Sequence, residues 1–146
     1  MVQQVLTKNH YISNQVFTYL KKNADYGNSF YKSLDKYGDK AFYVRVEDKL
    51  NRLSKLITSS REVADESITD TIDDTFNYTA MFITYKEIES NMSMITAVEV
   101  ITVMESLLHD NYIVEFLCRN GLLKANSNVA VYIKNYYKNK FLYEVI

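Results

Sequence analysis

Residues Arg45–Phe82 read RVEDKLNRLSKLITSSREVADESITDTIDDTFNYTAMF, and the fold turns on whether this stretch makes one helix or two. Just upstream and within it, Phe42, Val46, Leu50, Leu53 and Ile57 recur at i, i+4, i+8, i+11 and i+15, one narrow apolar stripe. That spacing predicts a helix from about Lys40 to Thr58. After the polar segment TSSREVAD a second stripe follows, Ile68, Ile72, Phe76, Thr79 and Ile83, predicting a long helix that reaches Glu89. Asp65 or Ser67 can cap its start, where acids complement the helix dipole. Two helices joined by a loop of under about ten residues become antiparallel neighbours.

Working outward, Ile12, Val16, Phe17 and Leu20 predict a first helix over about Tyr11–Lys22, broken near Gly27. A short helix over Ser29–Tyr37 should close at Gly38, because glycine readily takes the left-handed conformation past a helix end. Downstream, Asn91 or Ser93 opens a very apolar helix to about Leu108, suited to the centre of a bundle. Asp110 can cap the next, NYIVEFLCRN, closed by Gly121, and Asn126 or Ser127 can open a last one through Tyr137. With no proline and three glycines in 146 residues, the chain lacks the turn residues that sheets consume. The expectation is an all-α helical bundle forming a single domain over 1–146.

The totals narrow the function classes. There are 17 basic and 18 acidic residues, so no overall field favours nucleic acid or anionic lipid. One cysteine, Cys118, excludes an internal disulfide within the chain and reads as a small buried hydrophobe. The start MVQQVLTKNHY lacks the basic and apolar parts of a secretory signal, so the cytoplasm is the expected compartment. The run Met92–Leu108 is interrupted by Glu99 and Glu105 and is too short to span a bilayer. Abundant Lys, Asn, Ile and Tyr with four Arg suggest AT-rich coding, as in a low-GC bacterium or its phage.

Six acids lie within the thirteen positions Glu62–Asp74, with no base until Lys86. At about 100° per residue, Glu66, Asp70, Asp73 and Asn77 fall within about 60° of one another, with Asp74 adjoining. Two readings compete. A solvated face needs nothing more. A divalent-cation site explains why like charges at i, i+4 are retained unrelieved, and why Asn77, Tyr78 and Met81 continue the same side. Hard oxygen ligands without clustered Cys or His favour Mg²⁺ or Mn²⁺ over zinc; His10 and His109 read as helix-end residues. No glycine-rich phosphate loop or nucleophile elbow is present.

Three elements, KKNADYGNSF (Lys21–Phe30), RVEDKLNRLSKLI (Arg45–Ile57) and DESITDTIDDTFNYTAMF (Asp65–Phe82), resemble the nucleotide modification associated domain type 1 family. This is a phage-rich, all-helical family thought to be related to MazG-like nucleoside triphosphate pyrophosphohydrolases. The resemblance covers about residues 16–89, which would form the nucleotide-site core, leaving 91–146 as C-terminal helices for packing or partner binding. It implies that Asp70 and Asp74, with Glu66 one turn earlier, are the catalytic acids, and that Glu66, Asp70, Asp74 and Glu47 hold Mg²⁺ or Mn²⁺. The first site helix departs from the EExxE pattern of MazG-like enzymes. It offers Glu47 and Asp48 followed by Lys49, Asn51 and Arg52, and the lysine and arginine suit phosphate. The nucleotide-binding set is then Lys49, Arg52, Asp48, Asn77, Tyr78 and Tyr26, with Tyr26, Phe30 and Tyr78 available for stacking or for the core.

The leading expectation is therefore a dimeric nucleotide-binding protein that processes a nucleoside phosphate with Mg²⁺. A rival keeps the pocket without the chemistry and sequesters a nucleotide. Another is an interaction module whose C-terminal helices engage a host protein. In the tail, Lys134, Lys138 and Lys140 interleave with Tyr132, Tyr136, Tyr137 and Phe141, a pattern seen in nucleic-acid stacking; a packed dimer helix with a basic flank is the commoner explanation.

Overall fold

The computed structural model describes residues 8–26, 28–58, 64–88 and 95–141. These form seven α-helices: α1 (Lys8–Tyr26), α2 (Ser29–Tyr37), α3 (Lys40–Ile57), α4 (Ala64–Glu87), α5 (Ala97–Leu108), α6 (Tyr112–Arg119) and α7 (Asn128–Lys140). No strand occurs among the described residues, and none of their helices is long and apolar enough to cross a membrane.

Helices α3 and α4 make the most extensive helix pair. Along it Lys49 meets Asp74 at 3.0 Å, Arg45 meets Tyr78 at 3.3 Å, Phe42 stacks on Phe82 with centroids 4.1 Å apart, and Lys86 reaches Asp39 at 3.1 Å. Partners that descend one helix ascend the other, so the pair is antiparallel, as the two stripes predict. Phe42, Val46, Leu50 and Leu53 are buried, and each such side chain contributes about 1.5–3 kcal/mol.

The bundle centre differs from expectation. It is α4, buried nearly all round from Thr71 to Tyr85 and packed against α1, α3 and α5. Threonines make this feasible. Thr71, Thr75, Thr79 and Thr84 each donate to the carbonyl four residues back, at 2.7–2.8 Å, so their hydroxyls enter the core already satisfied. By contrast α5 leaves Val98 exposed and begins only at Ala97, where Thr96 and Glu99 form a capping box. Ile95 and Thr96 are non-helical, so the helix expected from Asn91 or Ser93 does not run through them; those two positions lie outside the described residues.

The ends of α2 are as predicted, and Gly38 follows with φ 71° and ψ −155°. Asp110 does not act as the cap of α6. It and Asn111 take left-handed values in the 3-10 turn His109–Asn111 that joins α5 to α6. Ser127 caps α7 by accepting from the Ala130 amide at 3.2 Å. Helix α7 then packs against α3 and α6, and its Tyr137 joins Tyr11 of α1 and Phe76 of α4 in an aromatic cluster.

Candidate functional site

Where α1, α2, α3 and α4 meet, their polar edges enclose a pocket of about 370 Å³. Helix α1 contributes Tyr19 and Lys22, the start of α2 gives Ser29 and Phe30, and α3 gives Arg45 and Lys49. Helix α4 supplies Asp74, Asn77, Tyr78 and Met81. The residues of α3 and α4 recur at i, i+3 and i, i+4 spacing, so the same antiparallel register that builds the core brings one face of each helix to the pocket.

The electrostatics are unbalanced toward positive charge. Among the described lining residues three cations stand with one carboxylate: Asp74 takes Lys22 at 3.1 Å on one oxygen and Lys49 at 3.0 Å on the other. Arg45 has no carboxylate partner among the described residues. Its guanidinium lies 5.3 Å from the centre of the Tyr78 ring and 6.0 Å from that of Phe30, and it donates to the Tyr78 hydroxyl at 3.3 Å. Phe30 and Tyr78 meet edge to face with centroids 4.9 Å apart. Asn77 is 7% exposed, and its carboxamide oxygen has no hydrogen-bond partner. Behind the pocket, Tyr19 and Tyr31 bring their hydroxyls to 3.0 Å, and burial pushes the Tyr31 phenol far above its usual range.

A second groove, of about 370 Å³, opens on the other side of the Lys22–Asp74 pair. Asp70 and Asp73 join Asp74 on its α4 wall, and Asn14, Gln15 and Thr18 form the α1 wall. Asp73 is not on a solvated face. Tyr11 donates to it at 2.7 Å and Tyr136 at 3.4 Å, while the Tyr11 and Tyr137 hydroxyls lie 3.0 Å apart. Burial raises the Asp73 pKa above the ordinary value, opposed by the Tyr11 bond, Lys140 and the Tyr136 bond and assisted by Asp70.

Of the residues singled out in the sequence, Phe30, Lys49, Asp74, Asn77, Tyr78 and Met81 converge on the pocket, and Asp70 lies exposed in the adjoining groove. The other α3 candidates do not join them. Glu47 is two residues from both Arg45 and Lys49, about 200° round the helix, and is exposed. Asp48 borders a shallow groove with Tyr37 and Val44 instead, and Arg52 is exposed beyond the pocket wall. The side chains of Tyr26 and Glu66 lie outside the described residues. Lys22, Ser29 and Tyr19 were not candidates; the signal available was the position of Lys22 and Ser29 inside the KKNADYGNSF element. Among the described residues no three acidic, histidine or cysteine side chains come together as a metal centre would require. The chain matches no protein-family profile, no curated protein and no solved structure.

Proposed function

We propose that the α1–α4 pocket binds a nucleotide or a nucleotide-derived phosphate. The observation that carries this reading is Arg45, without a carboxylate partner among the described residues, set with Lys49 directly beside the Phe30–Tyr78 aromatic pair. A cation without a carboxylate partner attracts a polyanion, and Arg45, placed against the Phe30 and Tyr78 rings, offers a planar fork suited to phosphate oxygens. The aromatic edge and the Asn77 carboxamide provide an apolar surface with one polar reader, as a base requires. The resemblance of the three sequence elements to a nucleotide-associated family supports the same assignment.

The carboxylates fit capture better than metal-dependent hydrolysis. Both Asp74 oxygens are engaged by ammonium groups and Asp73 by two phenols, leaving Asp70 as the acid without a described partner. Among the described residues these engagements leave few carboxylate oxygens for a resident Mg²⁺ or Mn²⁺, and in this reading a divalent cation enters in company with the ligand's own phosphates. Self-association belongs to the proposal too: Phe17 and Leu20 lie exposed on α1 beside Ile101 of α5, a surface that a second copy would cover.

Calorimetric titration with inorganic phosphate, nucleosides and nucleoside mono-, di- and triphosphates, each with and without Mg²⁺ and with products analysed, tests the reading. Nucleotides should bind more tightly than nucleosides or phosphate alone, and Arg45→Ala should weaken them at least about tenfold, roughly 1.4 kcal/mol. Binding of no phosphate compound, or equal binding by the variant, would refute it.

A further inference from the structure

The groove beyond the Lys22–Asp74 pair has the opposite chemistry to the phosphate pocket. Its only cation among the described residues is Lys22, already paired with Asp74, and its α4 wall presents Asp70 and, about one turn on, Asp73 and Asp74. Acids gathered on one wall would not by themselves indicate a ligand. The second observation is on the facing helix. Gln15 of α1 is 4% exposed, forms part of the groove wall, and its side chain has no partner among the described residues. A carboxamide that turns its polar end only to this groove leaves a donor and an acceptor available to a group that enters it.

We propose that this groove binds the ammonium or amidinium end of an organic cation. The charge of the wall selects a cation over a neutral polyol, because hydroxyl groups leave the repulsion among the acids in place. The existing hydrogen bonds select an N–H donor over a metal ion. A hard divalent cation needs several oxygens directed at it at short range, and would have to strip Lys22 and Lys49 from Asp74 and the two phenols from Asp73. An N–H donor needs one lone pair at each acceptor, and every carboxylate oxygen carries two, so the bonds already present can stay. Gln15 then supplies a neutral acceptor from the opposite wall, and exposed Asp70 guards the entrance.

Neither Gln15 nor Asp70 lines the phosphate pocket, so this proposal stands or falls separately from that one. The test is a heteronuclear NMR titration of the isotope-labelled protein with putrescine, and in parallel with Mg²⁺ and with erythritol, at constant ionic strength. Putrescine should shift the Gln15 side-chain amide resonances saturably. Affinity should fall about tenfold, roughly 1.4 kcal/mol, in Asp70→Asn, and fall again in Gln15→Met, which keeps the buried volume and removes the acceptor. Phosphate titrated into the same variants should bind as to the parent chain. A response without saturation, undiminished affinity in Asp70→Asn, or a tighter response to Mg²⁺ or erythritol would overturn the assignment. Since Asp70 is exposed and without a described partner, Asp70→Asn reports on the groove even if Gln15→Met fails to fold.

Discussion

Lys49 and Asp74 meet at 3.0 Å across the α3–α4 interface, and the same carboxylate takes Lys22 of α1 at 3.1 Å, so one acid restrains two cations at the pocket mouth. Lys22 is 52% exposed and Asp74 26%, which limits the contribution of the outer pair to at most about 1 kcal/mol. Asp74→Asn should therefore cost little stability while removing the one carboxylate that lines the pocket among the described residues. The expected outcome is tighter nucleotide binding in calorimetry with a small fall in melting temperature. If Asp74 instead held a catalytic metal, the same variant would lose Mg²⁺-dependent turnover and bind nucleotide no better.

Gly38 sits between α2, which carries Phe30, and α3, which carries Arg45. Its φ of 71° with ψ −155° belongs to a region that only glycine populates readily. A Cβ there would meet nothing within 4 Å, so Gly38→Ala would be resisted by the backbone alone. Chemical denaturation should show a loss of about 1–3 kcal/mol. A loss below that range would mean that α2 and α3 can relax to another connection without strain.

The two stripes around Phe42 and Ile72 were legible because each repeats along a single helix, and so were Lys49, Asn77 and Tyr78. Gly38 made the end of α2 legible to the residue. What a one-dimensional pattern could not carry was register between helices. Arg45 reads as one more charge on α3 until the antiparallel pairing sets it over Tyr78, and Lys22 and Gln15 gain meaning only when α1 is laid against α4. Glu47 and Asp48 failed to join for the converse reason, since adjacency in sequence places them on other sides of the helix that points Lys49 inward. The centrality of α4 was hidden by its threonines, whose polarity disappears into their own helix.

Asp73 gives the protein a pH dependence of defined sign. Burial raises its folded-state pKa above the 3.8 of a free carboxyl, more than Tyr11, Lys140 and Tyr136 lower it. Below the unfolded-state value both states hold the proton and no penalty arises. As pH rises from there through the folded-state value, the unfolded chain releases its proton first, so this group makes stability fall; above that window the penalty is constant. Asp73→Asn keeps an acceptor for Tyr11 and abolishes the slope. Melting curves from about pH 4 to pH 8 should show the variant gaining on the parent chain as pH increases. A gap that narrows with rising pH would mean that the tyrosine bonds and Lys140 outweigh burial.

Asn77 separates fold from recognition most directly. Its carboxamide oxygen is buried without a partner in the free protein, a state that costs about 1–3 kcal/mol. Asn77→Leu replaces that group with an apolar one of similar size in a pocket wall that also holds Phe30, Tyr78 and Met81, so the free protein should become more stable by an amount of that order. Lys22, Arg45 and Lys49 are untouched, so inorganic phosphate should bind as before. Nucleotides should lose affinity in proportion to what the carboxamide contributes to their base, making the variant indifferent among bases that the parent chain distinguishes. Thermal denaturation and a nucleotide panel measured on the same preparation check both halves. A destabilised variant would show that the carboxamide serves the fold, and unchanged base preference would move recognition to Phe30 and Tyr78 alone.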